Sequence, residues 1–220
     1  MAQQIYIVED HPVVRRGLIS LIEPEPGLTI IGGTGSAQEA RQEIPEAAPD
    51  IVLLDLSIED GTGLTLLEHL HNTQPDLPVL VVSMHDENLY ARRALEAGAR
   101  GYLMKDKADS KVVEAIREVL DGNVYLSPEM TSSILSSKVG GPTTQDLSPF
   151  DTLSDRELEV FTLMGEGRER REIAEALSLS PKTVDSHKDN LKRKLSLDTT
   201  AGLRRYAAVW SAADLPLTEG

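Results

Sequence analysis

Ile51-Val-Leu-Leu54 is a run of four apolar residues that ends directly before the carboxylate of Asp55. It is one of five short, mostly apolar runs, and these are 5–8, 28–31, 51–54, 79–82 and 101–104. Runs of this kind suit strands that are buried on both faces of a parallel sheet. Between them lie helix-like segments, at about 12–22, 37–46, 62–72, 87–97 and 109–120. The alternation predicts a doubly wound α/β domain of five strand–helix units.

The C-terminal part has a different pattern, because no strand-like run follows Thr152. Four helices are predicted there, at about 155–166, 170–177, 181–195 and 199–211. Ser154 and Glu157 form a capping-box pattern, and Ser180-Pro181 is a second helix start signal. The turn between the second and third of these helices has only three residues, 178–180. Such a short turn is typical of a helix-turn-helix in a small all-α domain.

The two patterns meet at 140–149, a segment rich in Gly, Pro, Ser and Thr that is typical of a flexible linker. We predict a first domain at 1–125 and a linker with a possible short helix at 126–150. A four-helix domain follows at 151–213, and a disordered tail at 214–220.

The composition excludes several classes of protein. The 220 residues carry a net charge of −14 and no cysteine, so disulfides and thiolate metal sites are excluded. No apolar run approaches the roughly 20 residues that span a membrane, and no secretory signal is present, so we expect a cytoplasmic protein without membrane association. The acidity is uneven, since 1–125 holds 10 basic and 21 acidic residues whereas 182–205 holds 7 basic and 3 acidic ones. The second segment can therefore form a basic binding face.

Polar side chains follow four of the predicted strands. Glu9 and Asp10 come after the first strand, Asp55 after the third, Ser83 after the fourth and Lys105 after the fifth. Because the carboxyl ends of parallel strands share one edge of the sheet, these side chains are expected to lie together. Clustered carboxylates bind Mg²⁺, and a carboxylate can attack a phosphoryl group to form an acyl phosphate. Taken singly, each acid is more often a solvated loop residue.

Several motifs resemble the receiver domain of two-component response regulators, over roughly 3–122. They are Val8-Glu-Asp-His-Pro12, Leu53-Leu-Asp-Leu-Ser57, Val82-Ser83 and Gly101-Tyr-Leu-Met-Lys105. The resemblance implies a flavodoxin-like (βα)5 fold in which Asp55 accepts a phosphoryl group from a histidine kinase. It also implies that Mg²⁺ is bound by Glu9, Asp10, Asp55 and the backbone carbonyl of Ser57.

The same resemblance implies that Ser83 and Lys105 contact the phosphoryl group, and that Tyr102 is the aromatic residue of the switch. The alternative for Tyr102 is an ordinary half-buried strand aromatic. Ser57 and His85 correspond to positions that line the approach of hydrolytic water, so they are expected to tune the lifetime of the phosphate. The family often has proline four residues after the phosphorylated aspartate, whereas this chain has Glu59.

Residues 153–205 resemble the LuxR-type helix-turn-helix, and the whole chain is similar to regulators of the NarL/FixJ type. The matching pieces are Leu153-Ser-Asp-Arg-Glu-Leu-Glu-Val160, Glu172-Ile-Ala174, Leu179-Ser-Pro-Lys-Thr-Val-Asp-Ser-His187 and Leu191-Lys-Arg-Lys-Leu195. In that family the third helix lies in the major groove of double-stranded DNA. The corresponding base-reading positions here are Asp185, Ser186 and Asp189, two of which are acidic.

The residues of this helix support the same interpretation by their spacing. Val184, Leu191 and Leu195 can face the core, and His187 lies on the same side. The outward set is expected to be Lys182, Asp185, Ser186, Lys188, Asp189 and Lys192. The lysines suit phosphate contacts, together with Arg193 and Lys194. Thr183 can help to hold a phosphate, Ser186 can reach a base edge, and Asp185 can accept a hydrogen bond from cytosine or orient a basic neighbour. A solvated helix face is the alternative.

The last predicted helix carries Leu203, Ala207 and Trp210 at helical spacing, for which core packing is the simplest use. In the family this helix commonly helps to form a dimer, so a homodimer is expected in the active state. Two recognition helices related by symmetry would bind a palindromic site.

A transcription regulator controlled by phosphorylation is therefore the leading hypothesis. We expect no enzymatic activity other than slow self-dephosphorylation, and we assign no catalytic residues. A DNA-binding regulator whose receiver is structural is one alternative. A Mg²⁺-dependent phosphohydrolase is another, although Ser57 stands where such an enzyme usually has a second aspartate.

Overall fold

The computed structural model describes residues 2–58, 60–139, 149–177 and 179–213. The chain forms two compact units, Met1–Gly140 and Gly141–Gly220. The predictions made for Glu59, for the linker sequence 140–148, for Ser178 of the helix-turn-helix and for the tail 214–220 concern residues outside the described set. Among the described residues, no helix has the length and apolar character needed to cross a membrane.

The described residues of the first unit form seven strands and six α-helices. The strands are β1 Gln3–Val8, β2 Leu28–Thr34, β3 Ile51–Leu54, β4 Ser57–Ile58, β5 Gly61–Thr62, β6 Val79–Ser83 and β7 Gly101–Met104. The helices are α1 Pro12–Ile22, α2 Ala37–Ala47, α3 Gly63–Thr73, α4 Glu87–Glu96, α5 Ala108–Leu120 and α6 Pro128–Val139. Five of the strands form a parallel sheet in the order β2-β1-β3-β6-β7, which confirms the predicted α/β fold.

The core of the first unit lies between this sheet and its helices. Ile5 and Ile7 of β1, Leu53 of β3 and Leu80 of β6 are each at most 1% exposed. They belong to one apolar cluster with the inner faces of α1 and α5, which pack against each other. Burial of these side chains is the main stabilising contribution to the fold.

β2 departs from the prediction that every strand is buried on both faces. It lies at one edge of the sheet and pairs with β1, and its residues Thr29 and Gly33 are exposed. An edge strand has a neighbour on one side only, so helices cover it less completely than the central strands. Its apolar run Leu28-Thr-Ile-Ile31 alone does not reveal that position.

The register of β1 against β3 brings two acidic segments side by side. Val8 pairs with Leu54, and the backbone N–H of Asp55 donates to the carbonyl of Val8 at 2.8 Å. Glu9 continues the same edge, because its N–H donates to the Thr34 carbonyl at 2.8 Å. Strand pairing therefore positions Glu9 next to Asp55.

The segment after α5 remains attached to the first unit. Tyr125 bridges to Gly101 of β7, and its carbonyl accepts a hydrogen bond from the N–H of Tyr102 at 2.8 Å. Glu87, the first residue of α4, accepts a hydrogen bond from the N–H of Ser127 at 2.9 Å, just before α6 begins. α6 packs against α4, so the short helix predicted after residue 126 adjoins the helix that follows β6.

The second unit is helical, as predicted. Its helices are α7 Asp155–Gly165, α8 Arg170–Ala176, α9 Pro181–Lys194 and α10 Thr200–Ala213. The capping box of Ser154 and Glu157 is present, and Ser180 caps α9 with Pro181 in its first turn. An aromatic cluster of Phe150, Phe161, Tyr206 and Trp210 joins α7 to α10 and to the turn before α7.

Candidate functional site

An ammonium group lies between two buried carboxylates at the carboxyl edge of the sheet. Lys105 Nζ lies 2.6 Å from Glu9 Oε2 and 2.7 Å from Asp55 Oδ2. Glu9 is 1% exposed and Asp55 is 3% exposed, so water contributes little to their solvation. Three strand ends that are far apart in sequence thus supply one compact polar cluster.

The same cluster can hold a cation. Ligand atoms of Glu9, Asp10, His11 and Asp55 all lie within 4.8 Å of one another. Asp55 Oδ1 is buried and has no hydrogen-bond partner among the described residues, and a buried carboxylate oxygen without a partner is costly. Carboxylate oxygens are the ligands that Mg²⁺ prefers, so this donor set fits the predicted ion.

His11 was not singled out in the sequence, although it directly follows the two acids. The ring Nδ1 of His11 lies 2.6 Å from Asp10 Oδ1 and 3.2 Å from Glu9 Oε1. The backbone N–H of His11 donates a hydrogen bond to Glu9 Oε1 at 3.0 Å. It is also the residue before α1, which begins at Pro12. The start of this helix therefore holds both acids of the segment in place.

The electrostatics of the cluster follow from burial and charge. Burial raises the pKa of Glu9, and the negative charge of Asp55 raises it further, against the opposing effect of Lys105. For Lys105, burial lowers the pKa, but the two carboxylates outweigh burial and the pKa is raised overall. The ammonium therefore stays charged at neutral pH, where it offsets the repulsion between Glu9 and Asp55.

Ser83 and Tyr102 lie beside this cluster and are tied to His85. Ser83 is fully buried, and its hydroxyl accepts a hydrogen bond from the His85 N–H at 3.2 Å. Tyr102 is 1% exposed, more deeply buried than the half-buried alternative, and its hydroxyl donates to the His85 carbonyl at 2.8 Å. Burial raises the pKa of Tyr102 well above its usual value. These two predicted residues thus contact the segment after β6, with no direct bond to Asp55.

Ser57 and His85 meet across the mouth of the site. Ser57 Oγ and His85 Nε2 lie 3.0 Å apart, and the His85 ring stacks on Tyr90 with 4.5 Å between centroids. Burial lowers the pKa of His85, against the opposing effect of Asp55. The imidazole is therefore neutral at physiological pH.

Two residues between the end of β3 and the start of α3 fix the path of the chain there and were missed in the sequence, Asp60 in the turn after β4 and Gly63 at the start of α3. Asp60 accepts hydrogen bonds from the Ser36 hydroxyl at 2.8 Å and from the N–H groups of Ala37 at 2.5 Å and Gln38 at 2.9 Å, at the start of α2. A Cβ on Gly63 would lie 2.3 Å from the carbonyl oxygen of Asp55, so only glycine fits there. In the sequence, the signal that could have identified Gly63 was its position eight residues after Asp55.

In the second unit, the predicted outer face of α9 differs at one residue. Lys188 is 6% exposed, so the prediction that it points outward is wrong. It follows Val184 by four residues, which places both on the inner side of the helix. Burial lowers the pKa of Lys188, against the opposing effect of Asp185. Lys182, Ser186 and Asp189 are exposed.

Other residues of α9 that were predicted to contact DNA form hydrogen bonds or ion pairs within the domain. Asp185 Oδ2 accepts a hydrogen bond from Arg170 Nη1 at 2.9 Å, and Lys192 Nζ lies 2.9 Å from Asp189 Oδ1. The N–H of Thr183 donates to the Ser180 hydroxyl at 3.1 Å.

The residues predicted for additional phosphate contacts and for the dimer interface lie partly at the surface and partly in the interior. Arg193 is exposed, whereas Lys194 Nζ lies 2.6 Å from Glu157 Oε2. On α10, Leu203 and Ala207 are fully buried in the core, and Val209 is 63% exposed.

Comparison with known proteins assigns both units. Residues 5–117 match the family described as the response regulator receiver domain, and residues 151–207 match bacterial regulatory proteins of the luxR family. The chain is 34% identical over 209 residues to the oxygen regulatory protein NreC of Staphylococcus carnosus, with 93% of this chain and 96% of that protein covered.

Two solved structures agree with this. A LuxR-family two-component response regulator from Aurantimonas is 33% identical, with a TM-score of 0.59 over 63% of this chain and 99% of that one. The RcsB response regulator of Salmonella typhimurium is 25% identical, with a TM-score of 0.67 over 95% of this chain and 98% of that one. The chain therefore belongs to the two-component response regulators, with a receiver domain followed by a LuxR-type DNA-binding domain.

Proposed function

We propose that Asp55 is the phosphoryl acceptor of this response regulator and that a histidine kinase is the donor. The observation that carries the proposal is the position of Lys105 Nζ, between the buried carboxylates of Glu9 and Asp55. One oxygen of Asp55 is bonded to this ammonium, and the other has no partner among the described residues. That arrangement distinguishes Asp55 chemically from the exposed acids of the chain.

Mg²⁺ would be held by the carboxylates of Glu9, Asp10 and Asp55 and by the backbone carbonyl of Ser57. The ion would supply a positive charge that screens the acids from one another and attracts the anionic donor. Support for it comes from the clustered carboxylate oxygens and the partnerless oxygen of Asp55.

The transfer itself needs a nucleophile and groups that stabilise the added charge. A carboxylate oxygen of Asp55 forms a bond to phosphorus while the bond from phosphorus to the donor's imidazole nitrogen breaks. Lys105 then pairs with the oxygens of the phosphoryl group, and Ser83 donates its hydroxyl hydrogen to one of them. Before phosphorylation, the Ser83 hydroxyl accepts a hydrogen bond from the His85 N–H, and the Tyr102 hydroxyl donates one to the His85 carbonyl. Movement of Ser83 toward Asp55 therefore changes the segment between β6 and α4.

Ser57 and His85 would set how long the acyl phosphate survives. Their side chains are hydrogen-bonded to each other at 3.0 Å at the mouth of the site. A neutral His85 can position a water molecule, so slow self-dephosphorylation is the hydrolytic activity we assign to this protein.

The second domain would bind a palindromic duplex as a homodimer, in the cytoplasm, through α9. The proposed contact residues are Lys182, Thr183, Asp185, Ser186, Asp189 and Lys192. Lys188, although expected from the sequence, is not among them because it is 6% exposed. The exposed Val209 on α10 offers an apolar contact to a second copy. The proposed boundaries are 1–125 for the receiver, 126–150 for the linker and 151–213 for the DNA-binding domain.

Intact-mass spectrometry with acetyl phosphate tests the proposal. Wild type with Mg²⁺ should gain one phosphoryl group, and Asp55→Asn should gain none. Asp76→Asn is a matched control because Asp76 is an exposed acid in the loop before β6. It should be phosphorylated like wild type. DNA affinity should rise with phosphorylation in wild type and in Asp76→Asn, but not in Asp55→Asn. The assignment would be contradicted if Asp55→Asn were phosphorylated as fully as wild type, or if wild type gained the phosphoryl group equally well without Mg²⁺.

A further inference from the structure

Asp185 occupies a position where a carboxylate is unexpected. It lies in the first half of α9, the helix proposed to enter the major groove, and a free acid there would repel the phosphates of DNA. The structure pairs it with a residue of another helix, because its Oδ2 accepts a hydrogen bond from Arg170 Nη1 of α8 at 2.9 Å. The two side chains are 48% and 51% exposed, so the pair lies at the surface.

We propose that Arg170, oriented by Asp185, contacts guanine in DNA and is a specificity-determining residue of this domain. The inference rests on the proposed DNA-binding role of α9. A guanidinium carries five N–H donors, and the single hydrogen bond to Asp185 leaves four of them for acceptors on DNA. Guanine presents O6 and N7 side by side in the major groove, and the planar fork of arginine matches both. Asp185 thus orients an arginine instead of reading cytosine.

The charge balance of α9 favours this assignment. Residues 181–190 contain the lysines Lys182 and Lys188 and the acids Asp185 and Asp189, so they carry no net charge. Lys188 is 6% exposed, which leaves the accessible surface of this half-helix acidic. Arg170 supplies, from the neighbouring helix, the positive charge that this surface lacks.

The ion pair of Arg170 and Asp185 is not needed to stabilise the domain. Exposed ion pairs contribute little to stability, and α8 has a separate attachment next to Arg170. Glu169 accepts two hydrogen bonds from Arg204 of α10, at 2.8 and 3.2 Å. Replacing Arg170 should therefore leave the position of α8 unchanged.

The sign of the Asp185 effect tests the proposal. The probe is a duplex that full-length wild type, treated with Mg²⁺ and beryllofluoride, enriches from a random library; a scrambled duplex is the reference. Arg170→Ala should weaken binding to the enriched duplex about 10-fold, the loss of one bidentate contact. Asp185→Ala should weaken it about 5-fold although it removes a negative charge, and the double variant should match Arg170→Ala alone. Circular dichroism checks that each variant is folded.

Two control variants separate orientation from bulk charge. Glu175→Ala removes an exposed acid of α8 that has no proposed role in DNA binding, and it should bind both duplexes as tightly as wild type or tighter. Arg171→Ala removes the adjacent exposed cation and should weaken both duplexes equally. The proposal is overturned if Asp185→Ala binds more tightly than wild type, as expected from loss of an acid alone, or if Arg170→Ala matches Arg171→Ala. Failure of wild type to enrich any duplex would instead refute DNA binding by α9, and this inference with it.

Discussion

Replacing Lys105 with methionine removes the cation between two buried carboxylates. Methionine keeps most of the length and the apolar stem of lysine, so the change mainly deletes the charge. In the wild type the ammonium is 2.6 Å from Glu9 and 2.7 Å from Asp55, which are both nearly inaccessible to water. Removal of one partner from a buried ion pair costs about 3–5 kcal/mol, because the charge that remains is uncompensated. We expect about 3 kcal/mol, since Glu9 can take up a proton and limit the penalty.

The sign of the pH dependence follows from that proton. The pKa of Glu9 is already raised by burial and by Asp55, and loss of Lys105 raises it further. A carboxyl group whose pKa is higher in the folded state than in the unfolded state stabilises the fold less as the pH rises. The destabilisation of Lys105→Met should therefore be larger at pH 8 than at pH 5.

Urea unfolding in EDTA measures the effect. With a slope of about 1.5 kcal/mol per molar, a loss of 3 kcal/mol lowers the midpoint by about 2 M. Far-UV circular dichroism follows both units, while fluorescence of Trp210, the one tryptophan of the chain, follows the second unit alone and should keep its midpoint. A shift that circular dichroism shows and Trp210 fluorescence does not show therefore belongs to the receiver. Mg²⁺ should restore stability, by about 2.7 kcal/mol at 100 times its dissociation constant.

Lys111→Met is the matched control. Lys111 is an exposed residue of α5 that pairs with Glu114 at 2.8 Å, and its replacement should leave the midpoint unchanged. An unchanged midpoint for Lys105→Met in EDTA would refute the reasoning, because the ammonium would then not offset the buried acids. Weaker stabilisation by Mg²⁺ in the variant than in wild type would refute it as well.

Three further predictions concern the supports of the two sites. Lys194 and hydrogen bonds from Ser154 hold the pKa of Glu157 below its usual value of 4.5 despite burial, so the second unit should lose stability as the pH falls below that value. Glu157→Gln should cost about 1–2 kcal/mol at pH 7 and flatten this dependence, as followed by the fluorescence of Trp210. Gly63→Ala should destabilise the receiver by about 1–3 kcal/mol and slow its phosphorylation by acetyl phosphate, because the new Cβ would displace the Asp55 carbonyl. Asp60→Asn removes an exposed charge from the start of α2 and should cost about 0.5 kcal/mol at low salt, measured by circular dichroism in urea; a larger loss at high salt than at low salt would contradict this origin.

Local patterns in the sequence predict the five strands of the parallel sheet and the long helices of both domains to within a few residues, whereas the short antiparallel strands β4 and β5 were not predicted. The run Ile51–Leu54 is a strand with those bounds, and α1 begins and ends at Pro12 and Ile22 as expected. Such elements are predictable because side-chain periodicity and caps act over a few neighbouring residues. The convergence of acids on one edge was also predictable, since parallel strands end on the same side.

Contacts between elements were not predictable in this way. Asp60 binds the start of α2, more than 20 residues earlier in the chain, and only the path of the loop after β3 brings them together. Lys188 has the charge of a DNA contact, but the packing of α9 turns it inward.

The sequence by itself determined that two domains of known type follow one another and that five polar residues end the strands of the first. The tertiary structure alone decided which charges are paired: Lys105 with Glu9 and Asp55, and Arg170 with Asp185. The reason is physical. Secondary structure depends on the spacing of residues along the chain, whereas an ion pair depends on the angle, register and side-chain rotamers of elements that meet only when the domain is packed.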